Sequence, residues 1–167
     1  MSCAITSGYA LDCRDSIGGI QALYINTVNN ITAYTEASGT VSGITKTGVF
    51  YKYELEEENS FAQSVGTGNR QNGTFFFAQQ VQAMFQKMKY QTRDLLETLA
   101  KNRLVIVVKD NNGKYWVYGK DKGLMVTTST AATGTAKGDM NGYTVVFDGN
   151  ENKDVFEYTG TESGLLT

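Results

Sequence analysis

A cluster of four carboxylates is the first group of side chains in this sequence that could do chemistry. Glu54, Glu56, Glu57 and Glu58 lie close together along the chain. Paired carboxylates act as general acid and base in glycoside hydrolases, and carboxylate oxygens bind hard cations. In a strand, however, alternate residues share a face. Glu54, Glu56 and Glu58 would then project side by side with Lys52, a row more typical of a solvated surface or a water-filled lumen than of a catalytic pair.

Two other segments contain residue types found in ligand-binding loops. Residues 148–154 place oxygen ligands at alternate positions, but Lys153 stands where a calcium loop needs glycine and Thr159 where it needs glutamate. The segment Gly66-Thr67-Gly68 lacks the third glycine of a dinucleotide fingerprint, because position 71 is Gln. We therefore predict a polar hairpin turn and a flexible loop, and expect no metal site and no cofactor.

The composition lowers the expectation of an enzyme. The 167-residue chain has no histidine, the commonest general base and metal ligand, and its net charge of −2 does not favour nucleic-acid binding. Cys3 and Cys13 are too few for a zinc site, and we expect both to be reduced, with a local Cys3–Cys13 disulfide in an oxidising medium as the alternative. No apolar run of membrane-spanning length occurs, and the opening residues lack the features of a secretion signal, so we expect a cytoplasmic origin.

The pattern of residues predicts a mainly β fold with one short helix. We expect a single domain over residues 1–167, an antiparallel β-sandwich or barrel with a long extended hairpin, preceded by an arm at residues 1–19. Helical spacing predicts a helix that begins at Thr92 and ends near Lys101. Strands are predicted at 21–26, 31–36, 47–58, 74–87, 104–108, 114–118, 124–128, 143–147 and 155–158, with a hairpin turn at 110–113 and a loop at 129–137.

The two long strands, 47–58 and 74–87, each have one apolar and one polar face. We expect them to be neighbours joined by a long polar loop at residues 59–73, the mobile tip of the hairpin. Their polar faces suit the wall of a channel assembled from several copies. The predicted lumen-facing residues are Lys52, Glu54, Glu56, Glu58, Gln80, Gln82 and Gln86.

The Phe75-Phe76-Phe77 run indicates that both faces of the second long strand are covered at one end. Phe76 points away from Phe75 and Phe77. Its cover is either another part of this chain or a neighbouring subunit. For contacts between subunits or rings we single out Phe76, Gly66, Gly68, Asn69, Arg70 and Asn72.

Three stretches of the chain resemble small virion structural proteins of tailed bacteriophages. They are residues 1–8 with 13–20 (MSCAITSG and CRDSIGGI), residues 109–119 (KDNNGKYWVYG) and residues 134–144 (GTAKGDMNGYT). The predicted order of strands, long hairpin, short helix and further strands is similar to that of the tail tube family. None of the three stretches is a catalytic signature.

The resemblance implies a tail tube subunit of the virion, assembled in the bacterial cytoplasm. Tail tube proteins form stacked hexameric rings with an inner β-barrel, through which the double-stranded DNA genome passes without specific binding. Loops and terminal arms make ring-to-ring contacts, and other tail proteins are partners. Alternatives are a capsid decoration, neck or tail-terminator protein, and a carbohydrate-binding or other ligand-binding β module with Tyr115, Trp116 and Tyr118 as a stacking platform.

Overall fold

A computed structural model describes residues 3–167 as two open β-sheets with two helices. The strands are β1 Ile20–Thr27, β2 Ile31–Ala37, β3 Thr40–Lys46, β4 Tyr51–Glu54, β5 Phe61–Asn69, β6 Thr74–Gln86, β7 Leu104–Asp110, β8 Tyr115–Tyr118, β9 Met125–Ala132, β10 Gly142–Glu151 and β11 Phe156–Tyr158. The helices are α1 Tyr90–Ala100 and α2 Glu162–Leu166, and a 3₁₀ turn spans Val28–Asn30. The predicted mainly β, sandwich-like fold is confirmed, whereas α2 is a second helix that the sequence pattern did not predict.

The sheets differ in size and in burial. The seven-stranded sheet has the order β2-β3-β11-β8-β7-β1-β4, and the four-stranded sheet has the order β5-β6-β10-β9. One face of each sheet contributes to the core between them, including Ile106 and Leu23 from the larger sheet and Val81, Val145 and Phe147 from the smaller. All five are almost completely buried.

The centre of the seven-stranded sheet is buried on both faces. Along β7, Ile106 and Val108 face the four-stranded sheet, whereas Val105 and Val107 join a second core with Tyr24 of β1. This arrangement explains the uninterrupted apolar run of β7, because a strand covered on both sides has no polar face. The four-stranded sheet, by contrast, is covered on one face alone.

The predicted strand at 47–58 is mostly wrong. Only Tyr51–Glu54 forms a strand, because Gly48 and Glu58 adopt left-handed conformations with φ of 74° and 63° that interrupt extended structure on either side. This short strand, β4, pairs with β1 at the edge of the seven-stranded sheet. The prediction that it neighbours the second long strand is also wrong, because β6 (Thr74–Gln86) belongs to the other sheet.

The predicted loop at 59–73 is largely a strand. β5 covers Phe61–Asn69 and pairs with β6, which leaves a turn at residues 70–73 as the hairpin tip. Gly66 and Gly68, which favoured a loop prediction, instead make room for an aromatic ring: a Cβ on Gly66 would lie 2.9 Å from Cζ of Phe75. Packing of an aromatic ring over a cross-strand glycine stabilises such a strand.

The remaining boundaries differ from the predictions by smaller amounts. β3 was not predicted, β9 extends into the predicted loop at 129–137, and β10 runs to Glu151, through part of the segment compared with calcium loops. Helix α1 begins at Tyr90 after Lys89, two residues before the predicted Thr92 cap. The strand at β7, the turn at 110–113 and the return strand β8 match the prediction closely.

Two buried polar side chains link the sheets. Gln79 of β6 accepts a hydrogen bond from the Gly119 amide at 2.8 Å and donates to the Lys153 carbonyl at 3.4 Å. Glu151, at the end of β10, accepts from the amides of Lys122 and Gly123 at 2.8 and 3.2 Å. Each carboxamide or carboxylate fixes a loop of the larger sheet against a strand of the smaller one.

We expect Gln79→Leu to lower the free energy of unfolding by about 1–3 kcal/mol, because the buried Gly119 amide loses its acceptor. Gln82→Leu is the matched control, since Gln82 lies on the same strand but on the solvent-facing side; we expect a change within about 0.5 kcal/mol. Urea unfolding of both variants at a concentration where the chain is monomeric makes the comparison. Equal destabilisation by the two substitutions would contradict the proposed link.

Candidate functional site

The outer face of the four-stranded sheet is an extended polar surface with very little charge. The pairing register places alternate residues of each strand on this face, opposite the core. They are Phe61, Gln63, Val65, Thr67 and Asn69 of β5; Thr74, Phe76, Ala78, Gln80, Gln82, Met84 and Gln86 of β6; Thr144, Val146, Asp148 and Asn150 of β10; and Met125, Thr128, Thr130 and Ala132 of β9. Across these four described strands, Asp148 is the one ionisable residue on the face, and no lysine or arginine is present there.

Polar side chains on this face bond to one another. Gln63 Nε2 donates to Gln80 Oε1 at 2.8 Å across the β5–β6 pair. Thr127, at a bulge in β9, donates its hydroxyl to Asp148 Oδ2 at 2.7 Å. With their hydrogen bonds partly satisfied internally, these amide and carboxylate groups form a hydrated surface with little capacity to grip a charged ligand.

The two edges of the same sheet are free. Within residues 3–167, β5 bonds to no strand but β6 and β9 to no strand but β10, so each has one row of main-chain amides and carbonyls without a strand partner. Free edges of eight or nine residues are templates for pairing with another chain. Neither edge contains proline or lysine, two of the residues by which proteins block such pairing.

The tip of the β5–β6 hairpin exposes an aromatic ring. Phe75 is 63% exposed and packs edge-on against Phe77, with ring centroids 5.1 Å apart. Gly66 and Gly68 lie beneath these rings, and Phe76 is half-buried on the opposite, outer face. The predicted contact residues Gly66, Gly68 and Phe76 therefore belong to the same hairpin end but do not share a face.

The turn at the end of this hairpin is polar. Asn69 Oδ1 accepts hydrogen bonds from the amides of Gln71 and Asn72 at 3.0 and 3.2 Å, which closes the turn. Arg70 is exposed at its end. The predicted contact residues Asn69, Arg70 and Asn72 thus lie at one end of the sheet, beyond the rings of Phe75 and Phe77.

Within one copy, the predicted lumen-facing residues are divided between the two sheets. Gln80, Gln82 and Gln86 project from the outer face of the four-stranded sheet. Lys52 and Glu54 lie on β4 in the other sheet, and Glu56 and Glu58 are exposed in the turn that follows it. The physical reason is strand pairing: β4 ends at Glu54 and bonds to β1 in the seven-stranded sheet, whereas β6 bonds to β5 and β10 in the other sheet.

The predicted aromatic stacking platform is not exposed. Tyr118 is buried, and burial raises its pKa to about 12. Trp116 packs against the core and donates its indole N–H to Asp110 Oδ2 at 3.1 Å, while Tyr115 packs against Tyr24 and Tyr158. Neither face of β8 offers the pair of free rings that carbohydrate stacking requires.

Residues 3–167 contain no metal-binding cluster, no disulfide and no membrane-spanning helix. No group of three or more cysteine, aspartate or glutamate side chains is arranged to hold a metal ion there, and the two exposed cysteines, Cys3 and Cys13, are unpaired. Within the same range no helix is long and apolar enough to cross a bilayer. The chain matches no protein-family model, no curated protein and no solved structure.

The Glu162 carboxylate forms two short hydrogen bonds, one of them to the predicted site residue Lys52. Its Oε1 accepts from the Tyr24 hydroxyl at 2.5 Å and from Lys52 Nζ at 2.9 Å. These two hydrogen bonds, first that of Tyr24, lower the pKa of the Glu162 carboxyl below its ordinary value of 4.5. The arrangement fastens α2 to the seven-stranded sheet, so Lys52 has a structural partner and is not a free charge.

We expect the contribution of this carboxylate to stability to depend on pH. A carboxyl whose pKa is lowered in the folded state stabilises the protein at pH values above its ordinary pKa of 4.5. That stabilisation is lost as the pH falls through the pKa of the folded state. Glu162→Gln should therefore lower the urea midpoint at pH 7 and have a smaller effect at pH 3. The control Glu56→Gln, at an exposed glutamate, should not show this pH-dependent difference; the same dependence in both variants would contradict the assignment.

Proposed function

We propose that this protein is a structural subunit of a phage tail tube, and that the four-stranded sheet forms the wall of the tube. The observation that carries the proposal is the combination of two free edges and an almost uncharged outer face in the same sheet. The resemblance of residues 1–8, 13–20, 109–119 and 134–144 to virion proteins of tailed phages supports the viral setting. The protein would have no catalytic role.

The directions of the strands favour a ring of identical copies. β5, β6, β10 and β9 alternate in direction, so β5 and β9 are antiparallel to each other. When β9 of one copy lies beside β5 of the next, the junction is again antiparallel, and the sheet continues without a change of pattern. Such a head-to-tail contact closes into a ring when the rotation between copies is right.

Six copies would give a barrel of 24 strands. At the usual strand spacing and a tilt of about 40°, such a barrel has a backbone diameter of about 50 Å. Barrels of 16–18 strands already enclose a water-filled channel. Closure also removes the free edges, which would otherwise promote aggregation.

The curvature of the ring would turn the outer face of the sheet inward. Gln80, Gln82 and Gln86 would then line the bore together with Gln63 and Asp148. DNA binds proteins largely through lysine and arginine contacts to phosphate, and the described strands present neither residue on this face. A neutral to weakly anionic bore would let double-stranded DNA pass without specific binding.

Electron microscopy of the purified protein tests the proposal directly. We expect hollow tubes built from stacked rings, because the free edges and the polar bore are complete only in the assembly. Isolated rings would favour a neck or tail-terminator protein, and monomers at high concentration would contradict a tube subunit.

A pair of proline substitutions in β9 tests the edge contact. In an antiparallel strand the amides of successive residues point to opposite sides, so of Ser129 and Thr130 one amide faces β10 and the other faces the free edge. Proline removes the donor. We expect one variant to lose stability and the other to fold normally but to form no tubes, as measured by circular dichroism and electron microscopy. Two folded variants that both assemble would contradict pairing through this edge.

Lysines in the bore should convert a passive wall into one that binds DNA. We expect tubes of Gln80→Lys, Gln82→Lys and Thr144→Lys combined to retain duplex DNA, with affinity that falls steeply as salt rises. The matched control combines Glu56→Gln, Glu57→Gln and Glu58→Gln, which changes net charge by the same amount away from this face. Equal retention by both triple variants in a filter-binding assay would place the glutamines outside the bore.

A further inference from the structure

A cavity of about 370 Å³ opens between the two sheets, beside the β7–β8 turn. Apolar side chains of the core between the sheets form part of its wall, including Ile20, Ala62, Val108 and Val155. Trp116 and Tyr118 of β8 line it as well. Cavities of this volume with mostly apolar walls and a few polar groups hold small organic molecules.

One hydroxyl in the cavity wall lacks the partner that its counterparts have. Four tyrosines of the described chain are buried. Three of them, Tyr24, Tyr143 and Tyr158, donate their hydroxyl to a protein oxygen at 2.5, 3.2 and 3.2 Å. Tyr118, which is 6% exposed, is the fourth, and its hydroxyl has no hydrogen-bond partner among residues 3–167. Buried polar groups are normally hydrogen-bonded, so this hydroxyl is available to a bound molecule.

The same wall contains a carboxylate with no cationic partner. Asp110 Oδ1 accepts hydrogen bonds from the amides of Asn112 and Lys114, both at 2.9 Å. Asp110 Oδ2 accepts from the indole N–H of Trp116 at 3.1 Å. All three donors are neutral, and Asp110 forms no ion pair within residues 3–167. Its position is therefore fixed while its negative charge stays uncompensated.

The two lysines next to Asp110 direct their ammonium groups elsewhere. Lys114 Nζ lies 3.5 Å from a carboxylate oxygen of Glu157. Lys109 Nζ lies 5.6 Å from the centre of the Tyr115 ring, which packs against the second core on the other face of the sheet. Among the described residues, no lysine or arginine lines the cavity.

The electrostatic surroundings of the Tyr118 hydroxyl are negative. Burial, followed by the charges of Asp154 and Asp110, raises the pKa of Tyr118 to about 12. The hydroxyl therefore keeps its proton near neutral pH. The negative charges that disfavour its ionisation also favour a positive charge beside it.

We propose that this cavity binds a small organic cation, a primary ammonium group on an apolar body the size of one aromatic ring. The ammonium group pairs with Asp110, which has about four acceptor sites and uses three of them. It also donates to the Tyr118 hydroxyl oxygen, and the Trp116 ring adds an attraction between cation and π-system. The apolar body contacts the core side chains of the wall. A neutral molecule of the same shape would leave the Asp110 charge unpaired, and an anion would be repelled by it.

This site goes beyond the proposed tube wall, because it lies inside one copy. The wall uses the outer face and the free main-chain edges of the four-stranded sheet, whereas the cavity uses side chains between the sheets. Dispersed protein is therefore expected to bind the cation without assembly. Absence of binding would leave the tube proposal unaffected, and absence of tubes would leave the cation site unaffected.

Titration of the full-length protein with phenethylamine tests the proposal. Trp116 is the single tryptophan of the chain and lines the cavity, so its fluorescence reports binding there, and calorimetry gives the same affinity independently. We expect saturable binding of phenethylamine. Phenethyl alcohol, with a hydroxyl in place of the ammonium group, should bind about tenfold more weakly because hydrogen bonds between charged groups are the stronger ones. Phenylacetate should give no saturation.

Two matched variants locate the ammonium group. Tyr118→Phe removes the hydroxyl without a partner, so we expect an unchanged urea midpoint and an affinity for phenethylamine about tenfold lower. Tyr143→Phe is the control, because Tyr143 is also 6% exposed but donates to the Lys89 carbonyl and lies outside the cavity wall. It should lower the urea midpoint and leave the affinity for phenethylamine unchanged.

Three results would overturn the proposal. The first is the absence of saturable phenethylamine binding in calorimetry, and the second is equal affinity for phenethylamine and phenethyl alcohol. The third is equal phenethylamine affinity of the unmodified protein and the Tyr118→Phe variant, which would place the ammonium group away from this hydroxyl.

Discussion

The structure depends on one constraint: of the two faces of the four-stranded sheet, one packs against the seven-stranded sheet and the other faces solvent. Its inner face is buried against the seven-stranded sheet through side chains such as Val81, Val145 and Phe147. Among residues 3–167, no further strand pairs with either of its edges and no other sheet covers its outer face. The polar outer face is compatible with water, but the eight or nine residues of unpaired strand at each edge give the sheet a strong tendency to associate. The proposed ring would satisfy that tendency in a closed form.

Burial on two faces is what makes the larger sheet a firm support. β1 and β7 lie between two apolar clusters, and Gln79 and Glu151 tie the loops of this sheet to the strands of the other. These buried hydrogen bonds fix the angle between the sheets more specifically than apolar contact alone. A fixed angle matters for any ring, because the rotation between copies follows from the shape of each copy.

The sequence pattern predicted the fold best where burial is strong. β1, β7 and the hairpin at residues 110–113 follow directly from apolar runs and an Asn-Gly turn. It failed where a single residue overrides the pattern: alternation continues through Glu58, but the backbone there turns left-handed. Gly66 and Gly68 caused the opposite error, because they favoured a loop but lie within a strand. Their role depends on Phe75 of the paired strand, whose ring packs over them. The polar face of β6 was predicted correctly, whereas its neighbours on that face could not be identified without knowing the pairing.

The scarcity of ionisable groups on the outer face has a consequence for how that surface responds to its surroundings. Asp148 is the one ionisable side chain that the four described strands place on this face, so the face carries at most one formal charge per copy. Amides and hydroxyls carry no net charge for counterions to screen. Dilution, acidification or a sudden change of ionic medium therefore leaves the electrostatic character of this surface almost constant.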